Sequence, residues 1–434
     1  MLISFLTHTG SRSLQYFQLA RFSALFLISI LLARLSGDKI LISQYELFLL
    51  IAGTFTFFWV NGILKAFLPY YSQADILKRK EIVFHNFLWL CLCSIFSSTA
   101  IYFTGTLLYP SLNQEYLLWL VIYTFFSAPS YFTEYLLFAE NKRKTLVLFS
   151  TITFILMVFA VIIPVFMGKP FVYSLYALVI FSILRFFYLV MLIGKSAKPA
   201  FNFNLFMESA IYFFPILLIT LAGGFADYFD NILVSNLFTK TDFTLFRYGA
   251  REFPIILLLA NALSISFSSQ IATGLKNNTL NKELLNLKKE SLQLMHIAFP
   301  LTILLMIFSE PLFNLLYGES FRDAVFIFRI YLLLVISRVV FPQAVSSGLL
   351  LNKMMATVSI IELCVHVSLS VLFINIFGIK GVAYASLIAF MLEKIVLGLY
   401  LKRRNNIHFS DYIPTGWFLI YSGTLIIVFL TDFF

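Results

Sequence analysis

Residues 141–173 read NKRKTLVLFSTITFILMVFAVIIPVFMGKPFVY. A basic cluster, Lys142, Arg143 and Lys144, gives way at once to an unbroken apolar run from Leu146 to Met167, which Gly168-Lys169-Pro170 closes. A run of about 20 apolar residues is the length an α-helix needs to cross the roughly 30 Å hydrocarbon core of a bilayer. Its apolar residues are continuous rather than alternating, which excludes an outer-membrane barrel strand. Shifted by 211 positions, the frame recurs without a gap: Asn352-Lys353 stand for Asn141-Lys142, Lys380 for Lys169 and Tyr384 for Tyr173. Six spans separate the copies, so the halves enter the membrane in one orientation and their pseudo-axis runs along the membrane normal.

The rest of the chain resembles this stretch. Of 434 residues, 60% are hydrophobic and 12% charged, with a mean hydropathy of +0.91. Soluble domains average about 45–50% apolar and about 25% charged. A secreted domain, a cytosolic enzyme and a disordered chain are therefore excluded. Apolar windows predict thirteen spans, at 13–35, 42–69, 83–109, 115–138, 146–167, 171–194, 205–237, 243–272, 291–316, 323–350, 355–376, 380–401 and 412–433. The expected fold class is an all-α polytopic membrane protein of two pseudo-symmetric six-helix bundles plus a thirteenth helix. Its divisions are a lobe at 1–198, a second at 199–404 and the appended helix at 405–434.

Charge decides orientation. With the amino terminus inside, Arg12 and the inner loops hold seventeen Lys and Arg; the outer loops hold six, Arg34, Lys39, Lys169, Lys240, Arg322 and Lys380. Such alternation is the positive-inside pattern, and it accounts for a net charge of +10 without any nucleic-acid partner. The odd span count puts the carboxyl terminus outside. Met1–Gly10 lacks a basic flank and a cleavage site, so no removable signal peptide is read. Cys91, Cys93 and Cys364 lie in apolar runs with no metal or disulfide spacing. Leu280, Leu284, Leu287 and Ser291 share one helical face amid Lys276, Lys282, Lys288 and Lys289, which predicts an amphipathic helix on the inner membrane surface.

Charges inside spans cost about 2.5–3.5 kcal/mol each on insertion scales and mark cavities or partners. Gln18 and Arg21 share a face of the first span, and Thr54, Asn61 and Lys65 form a stripe in the second. In the eighth, Arg247, Arg251, Pro254, Asn261 and Ser268 keep to one side if the helix is continuous. Arg185 lies mid-span in the sixth; Arg329 and Arg338, nine apart, face opposite ways unless the tenth bends at Pro342. Glu134, Asp227, Asp230 and Glu362 are the acidic candidates for coupling to a proton or sodium gradient. Depth matching pairs Asp230 with Arg247 and Asp227 with Arg251 as an alternative, internal ladder. Arg21 and Arg185, without an evident local partner, are the stronger candidates for binding an anionic headgroup, for which the planar guanidinium fork is suited. Gly378, Gly381, Ala385 and Ala389 form a small-residue face for close helix packing.

The carboxyl-terminal half reads PLFNLLYGESFRDA at 311–324 and FGIKGVAYAS at 377–386; the middle reads DYFDNILVS at 227–235 and FRYGA at 246–250. That order resembles the Wzx-type polysaccharide flippases of the multidrug/oligosaccharidyl-lipid/polysaccharide exporter superfamily, which includes lipid II flippases and MATE drug exporters. The resemblance implies a V-shaped pair of lobes. It implies transport of an undecaprenyl-pyrophosphate-linked oligosaccharide, an O-antigen, capsule or exopolysaccharide unit, to the outer leaflet of the bacterial inner membrane. Arg21, Arg247 and Arg251 fall on its cavity helices; Asn61, Lys65, Arg185 and Asn261 complete the candidate substrate set. The implied partners are the bilayer, the lipid-linked oligosaccharide and a polysaccharide polymerase with its chain-length regulator; no catalytic residue, metal or cofactor is expected. Two alternatives stay open. A cation exporter of the same fold would carry a carboxylate-dominated cavity. A membrane acyltransferase or polymerase would need a positioned histidine or a large outer loop; only His366, beside Glu362, is deep in a span, and no loop exceeds roughly 20 residues.

Overall fold

Each apolar run becomes a helix because, away from water, a backbone N–H or C=O can be satisfied only within its own segment. The computed structural model describes residues 12–431 apart from 111, 113 and 253; the Met1–Gly10 reading and the end of the last span lie outside the described residues. The chain divides into two compact units, Met1–Gly224 with Ser235–Thr241, and Phe225–Val234 with Asp242–Phe434.

The first unit contains α1 (Arg12–Ser36), α2 (Lys39–Gln73), α3 (Ile76–Leu108), α4 (Gln114–Ser130), α5 (Phe132–Ala139), α6 (Arg143–Phe166), α7 (Val172–Ser196) and most of α8 (Phe203–Leu237). α1 packs along α6, α3 along α4, and α4 along α7. The core holds Trp59, Phe67, Phe132, Leu136 and Leu189, with the Phe67 and Phe132 rings edge-on at 4.8 Å. The predicted fourth span is two helices, α4 and α5, meeting just after Pro129. Proline lacks the N–H that would engage the carbonyl four residues back. Here that carbonyl, of Phe125, accepts from Ser94 Oγ at 2.8 Å, so α3 satisfies what the break leaves open.

The second unit holds Phe225–Val234 of α8, then α9 (Lys240–Gly249), α10 (Pro254–Lys276), α11 (Leu280–Ile307), α12 (Ser309–Tyr317) and a short 3-10 turn, Glu319–Phe321. It continues through α13 (Ala324–Leu332), α14 (Val335–Arg338), α15 (Pro342–Gly348), α16 (Asn352–Phe377), α17 (Ile379–Asn405), α18 (Phe409–Tyr412) and α19 (Thr415–Thr431). α16 and α17 form an antiparallel hairpin, α10 lies against α15, and α11 carries α18 and α19. The turns joining α6 to α7 and α16 to α17 each use a glycine at positive φ, Gly168 at 66° and Gly378 at 60°, a backbone region that residues with a Cβ rarely occupy. Gly381, Ala385 and Ala389 are buried, and a Cβ at Gly381 would overlap the Phe373 carbonyl, as the small-residue face predicts.

Among the described residues ten helices are long and apolar enough to cross a membrane, and an eleventh counts if Ala324–Arg338 and Pro342–Gly348, bent by 40°, form one span. α19, of 17 residues, is shorter but apolar. Large side chains that a soluble protein would bury are exposed along these helices, among them Phe96, Phe103, Leu107, Phe166, Ile211 and Ile265. Such surface is stable only in lipid. This is an all-α, multi-pass membrane protein.

Two expectations are corrected. The predicted eighth span, 243–272, is interrupted: α9 ends at Gly249, α10 starts at Pro254, and Arg251 and Glu252 stand in the break. Proline is readily accommodated only in a helix's first turn, so Pro254 starts a new helix instead of continuing the old one, and the stripe from Arg247 to Ser268 does not exist. The amphipathic stretch from Leu280 is not a separate surface helix; it runs on as α11, with Leu284, Leu287 and Ser291 buried and Lys288 Nζ donating to the Ser410 carbonyl at 2.7 Å. Its apolar face packs on its own chain. The tenth span bends by 40° just before Pro342, beyond both Arg329 and Arg338.

Candidate functional site

In the first unit α1, α2 and α5 surround a cavity of about 330 Å³ lined by Gln18, Arg21, Asn61, Tyr131 and Tyr135 with Phe17, Phe22, Leu25, Val60 and Leu64. Gln18 and Arg21 reach it together because they are one helical turn apart. Tyr131 is the single residue between α4 and α5, and its phenol ring lies under the Arg21 guanidinium, 4.5 Å from the centroid. Among the described residues its lining holds one charged side chain, and that charge is positive. Lys65, one turn along α2 from Asn61, is exposed, and Thr54 is engaged by Tyr109 Oη at 2.9 Å.

Arg185 has a partner that its place in the sequence does not reveal. Its Nη2 donates to Glu134 Oε1 at 2.6 Å, with Arg185 7% and Glu134 0% exposed, and its guanidinium also lies 5.0 Å from the Tyr131 centroid. Fifty-one positions separate the pair, and the α4–α5 break brings α5 against α7. One tyrosine ring thus contacts both the cavity arginine and a fully buried ion pair.

In the second unit the predicted ladder gives way to other partners. Arg247 Nη1 donates to Asn231 Oδ1 at 3.2 Å, and Arg251 lies over the Tyr248 ring at 4.6 Å with its Nε on the Arg247 carbonyl. Asp227 is exposed. Asp230 is buried and accepts from His366 Nε2 at 2.9 Å, Ser370 Oγ at 3.0 Å and Ser386 Oγ at 2.7 Å. The first two donors are one turn apart on α16 and the third is on α17. Glu362 Oε1 stands 3.8 Å from His366 Nδ1. Further along, Arg338 donates to both oxygens of Glu252, Nε at 2.9 Å, and Glu393 joins Gln343 at 2.8 Å and Lys394 at 3.1 Å. Arg329 Nε donates to Ser309 Oγ at 2.7 Å, and Asn261 is exposed on α10. The sequence points to His366 only as a neighbour of Glu362, and it gives no sign of Lys394, Ser370 or Ser386 beyond regularly placed hydroxyls on α16 and α17.

A sequence profile of the polysaccharide biosynthesis protein family matches residues 73–326, more than half of the chain. The chain belongs to that family. Among solved structures, this polysaccharide biosynthesis protein is similar to the lipid II flippase MurJ in an inward closed conformation, with 21% identity, a TM-score of 0.69, and coverage of 96% of this chain and 92% of that one. An inward-facing multidrug resistance MATE transporter of the MOP superfamily gives 13%, 0.63, 88% and 94%, and a Vibrio cholerae MATE transporter gives 14%, 0.61, 94% and 99%. Comparison with curated proteins gives no match. At these identities the solved structures establish the fold. The family member's cavity therefore has to be read from its own residues.

Proposed function

We propose that this chain moves a lipid-linked oligosaccharide, carried on undecaprenyl pyrophosphate, from the inner to the outer leaflet of the bacterial cytoplasmic membrane by alternating access, with the amino terminus cytoplasmic. The observation that carries the reading is the cavity of the first unit, whose single charged lining residue among those described is Arg21. A pyrophosphate leaving water needs donors that replace its hydration, and a guanidinium with Gln18, Asn61 and two phenols supplies them. A carrier of organic cations needs the opposite sign, and no carboxylate lines this cavity among the described residues. Membership of a polysaccharide biosynthesis family supports a saccharide as the cargo.

The coupling ion in this reading is the proton, handled by the second unit. Asp230 and His366 form a buried carboxylate–imidazole pair, and a proton exchanged there changes the charge of the cluster at a depth where charge is expensive. Glu362 of α16 and Asp227 of α8 face the pair, with Tyr331 of α13 and Glu252 nearby. The test is a leaflet assay in a native-host deletion strain. Lipid-linked oligosaccharide should accumulate on the inner leaflet and be cleared by the wild-type gene but not by Arg21→Ala. Unchanged lipid-linked sugars on both leaflets would sink the proposal and favour a small-cation exporter.

A further inference from the structure

A second cavity, of about 490 Å³, lies wholly in the second unit and takes no part in the reading above. Its charged lining comes from three connections that are far apart in the sequence. Asp242 is at the start of α9; Glu310, Arg322, Asp323 and Arg329 come from α12 to α13; Lys380 comes from the start of α17. All three connections belong to the sparsely basic side of the membrane, outside in the proposed topology. Two of them, 311–324 and 377–386, are the distinctive motifs of the carboxyl-terminal half. Their glycines, Gly318 at φ 92° and Gly378 at φ 60°, hold backbone that residues with a Cβ avoid, just before Arg322-Asp323 and Lys380. Glycine there fixes where these charges stand.

We propose that this pocket is a saccharide subsite that holds the neutral hydroxylated part of the cargo at the outer face. The chemistry follows from the sign of the lining. Three cations, Arg322, Arg329 and Lys380, face three carboxylates, Asp242, Glu310 and Asp323, so the formal charge sums to zero and both signs are interspersed. A polyphosphate meets three carboxylates, an organic cation meets three basic groups, and an acyl chain would strip water from all six. A sugar hydroxyl both donates and accepts, so each can bridge a carboxylate and a guanidinium. The Lys380 ammonium stands 4.1 Å over the Phe326 ring, so hydrogen bonding rather than ring stacking is the means of recognition. The Arg322–Glu310 pair, at 2.6 Å with both side chains exposed, is of the weak, solvent-screened surface kind. A ligand can therefore exchange with it. The volume falls in the range that accommodates a small-molecule ligand.

The inference rests on the proposal that the cargo carries sugar, and its test reads binding rather than transport. Full-length protein in lipid nanodiscs is titrated, by saturation-transfer NMR, with the repeat oligosaccharide released by mild acid from the host's surface polysaccharide. Inorganic pyrophosphate and tetraphenylphosphonium are the competitors. The oligosaccharide should bind, neither competitor should displace it, and Asp323→Asn and Lys380→Gln should each weaken it at least tenfold. Displacement by pyrophosphate, equal binding by both variants, or no binding to a protein that clears lipid-linked sugar in the leaflet assay would overturn the subsite. Binding by a protein that fails the leaflet assay would retain the subsite and remove the flippase reading.

Discussion

The two units handle intramembrane charge in opposite ways. The first buries a carboxylate, Glu134, against Arg185 and leaves a cavity whose charge among the described residues is the cation Arg21. The second centres on a carboxylate, Asp230, held by an imidazole and two hydroxyls, with its arginines turned to Glu252, Asn231 and Ser309. Similar helical hairpins therefore present a cationic cavity in one unit and an acid-centred buried cluster in the other. A net positive charge on the chain describes neither, and local pairing decides what each can bind.

The contrast can be broken at its structural base first. Arg185→Ala leaves Glu134 buried without its cation and should destabilise the protein by about 3–5 kcal/mol; thermal unfolding in nanodiscs reads the loss, and an unchanged transition would mean that the pair is not built as described. Asp230→Asn keeps an acceptor for only one of Ser370 and Ser386, which donate to different oxygens, and removes the charge facing His366. We expect a loss of about 1–3 kcal/mol in stability, with transport reduced at least tenfold; full transport would remove the second unit from coupling. Arg21→Ala should leave unfolding nearly unchanged and weaken headgroup binding about 10–100-fold, the equivalent of one charge-assisted hydrogen bond. Arg21→Lys should recover only part, because an ammonium cannot reproduce the fork. A stability loss as large as that of Arg185→Ala would reassign Arg21 to the core. The smallest effect is expected at Tyr421→Phe, which removes the 2.8 Å bond to His296 holding α19 on α11 and should cost about 1 kcal/mol.

The sequence shows the spans plainly because each is a continuous apolar run with charged ends. It conceals where backbone leaves the helical path within a run. Pro254 and Pro342 are visible as residues, yet hydropathy cannot say whether proline bends, breaks or starts a helix; that depends on what satisfies the freed carbonyls. Gln18, Arg21 and Asn61 are legible as a site because two are a turn apart and the third lies on a neighbouring helix. Asp230 and His366 are not, since 136 positions separate them and their contact exists only once α8 meets α16. Depth matching paired Asp230 with the nearest arginine in sequence. The fold instead offered it three uncharged or titratable donors that were already buried. Arg185 was misread for the same reason, because its partner is supplied by a break in another span.

The central claim is that the first unit holds the anionic headgroup and the second unit handles the proton. The direct measurement is flipping of a fluorescent undecaprenyl-pyrophosphate oligosaccharide in proteoliposomes under an imposed pH gradient, with wild type, Arg21→Ala and Asp230→Asn compared at several substrate densities. The account predicts that Arg21→Ala raises the half-saturating density about 10–100-fold and still responds to the gradient, whereas Asp230→Asn binds normally and ignores it. Loss of the same parameter in both variants, or a rate that follows a sodium gradient instead, would contradict it.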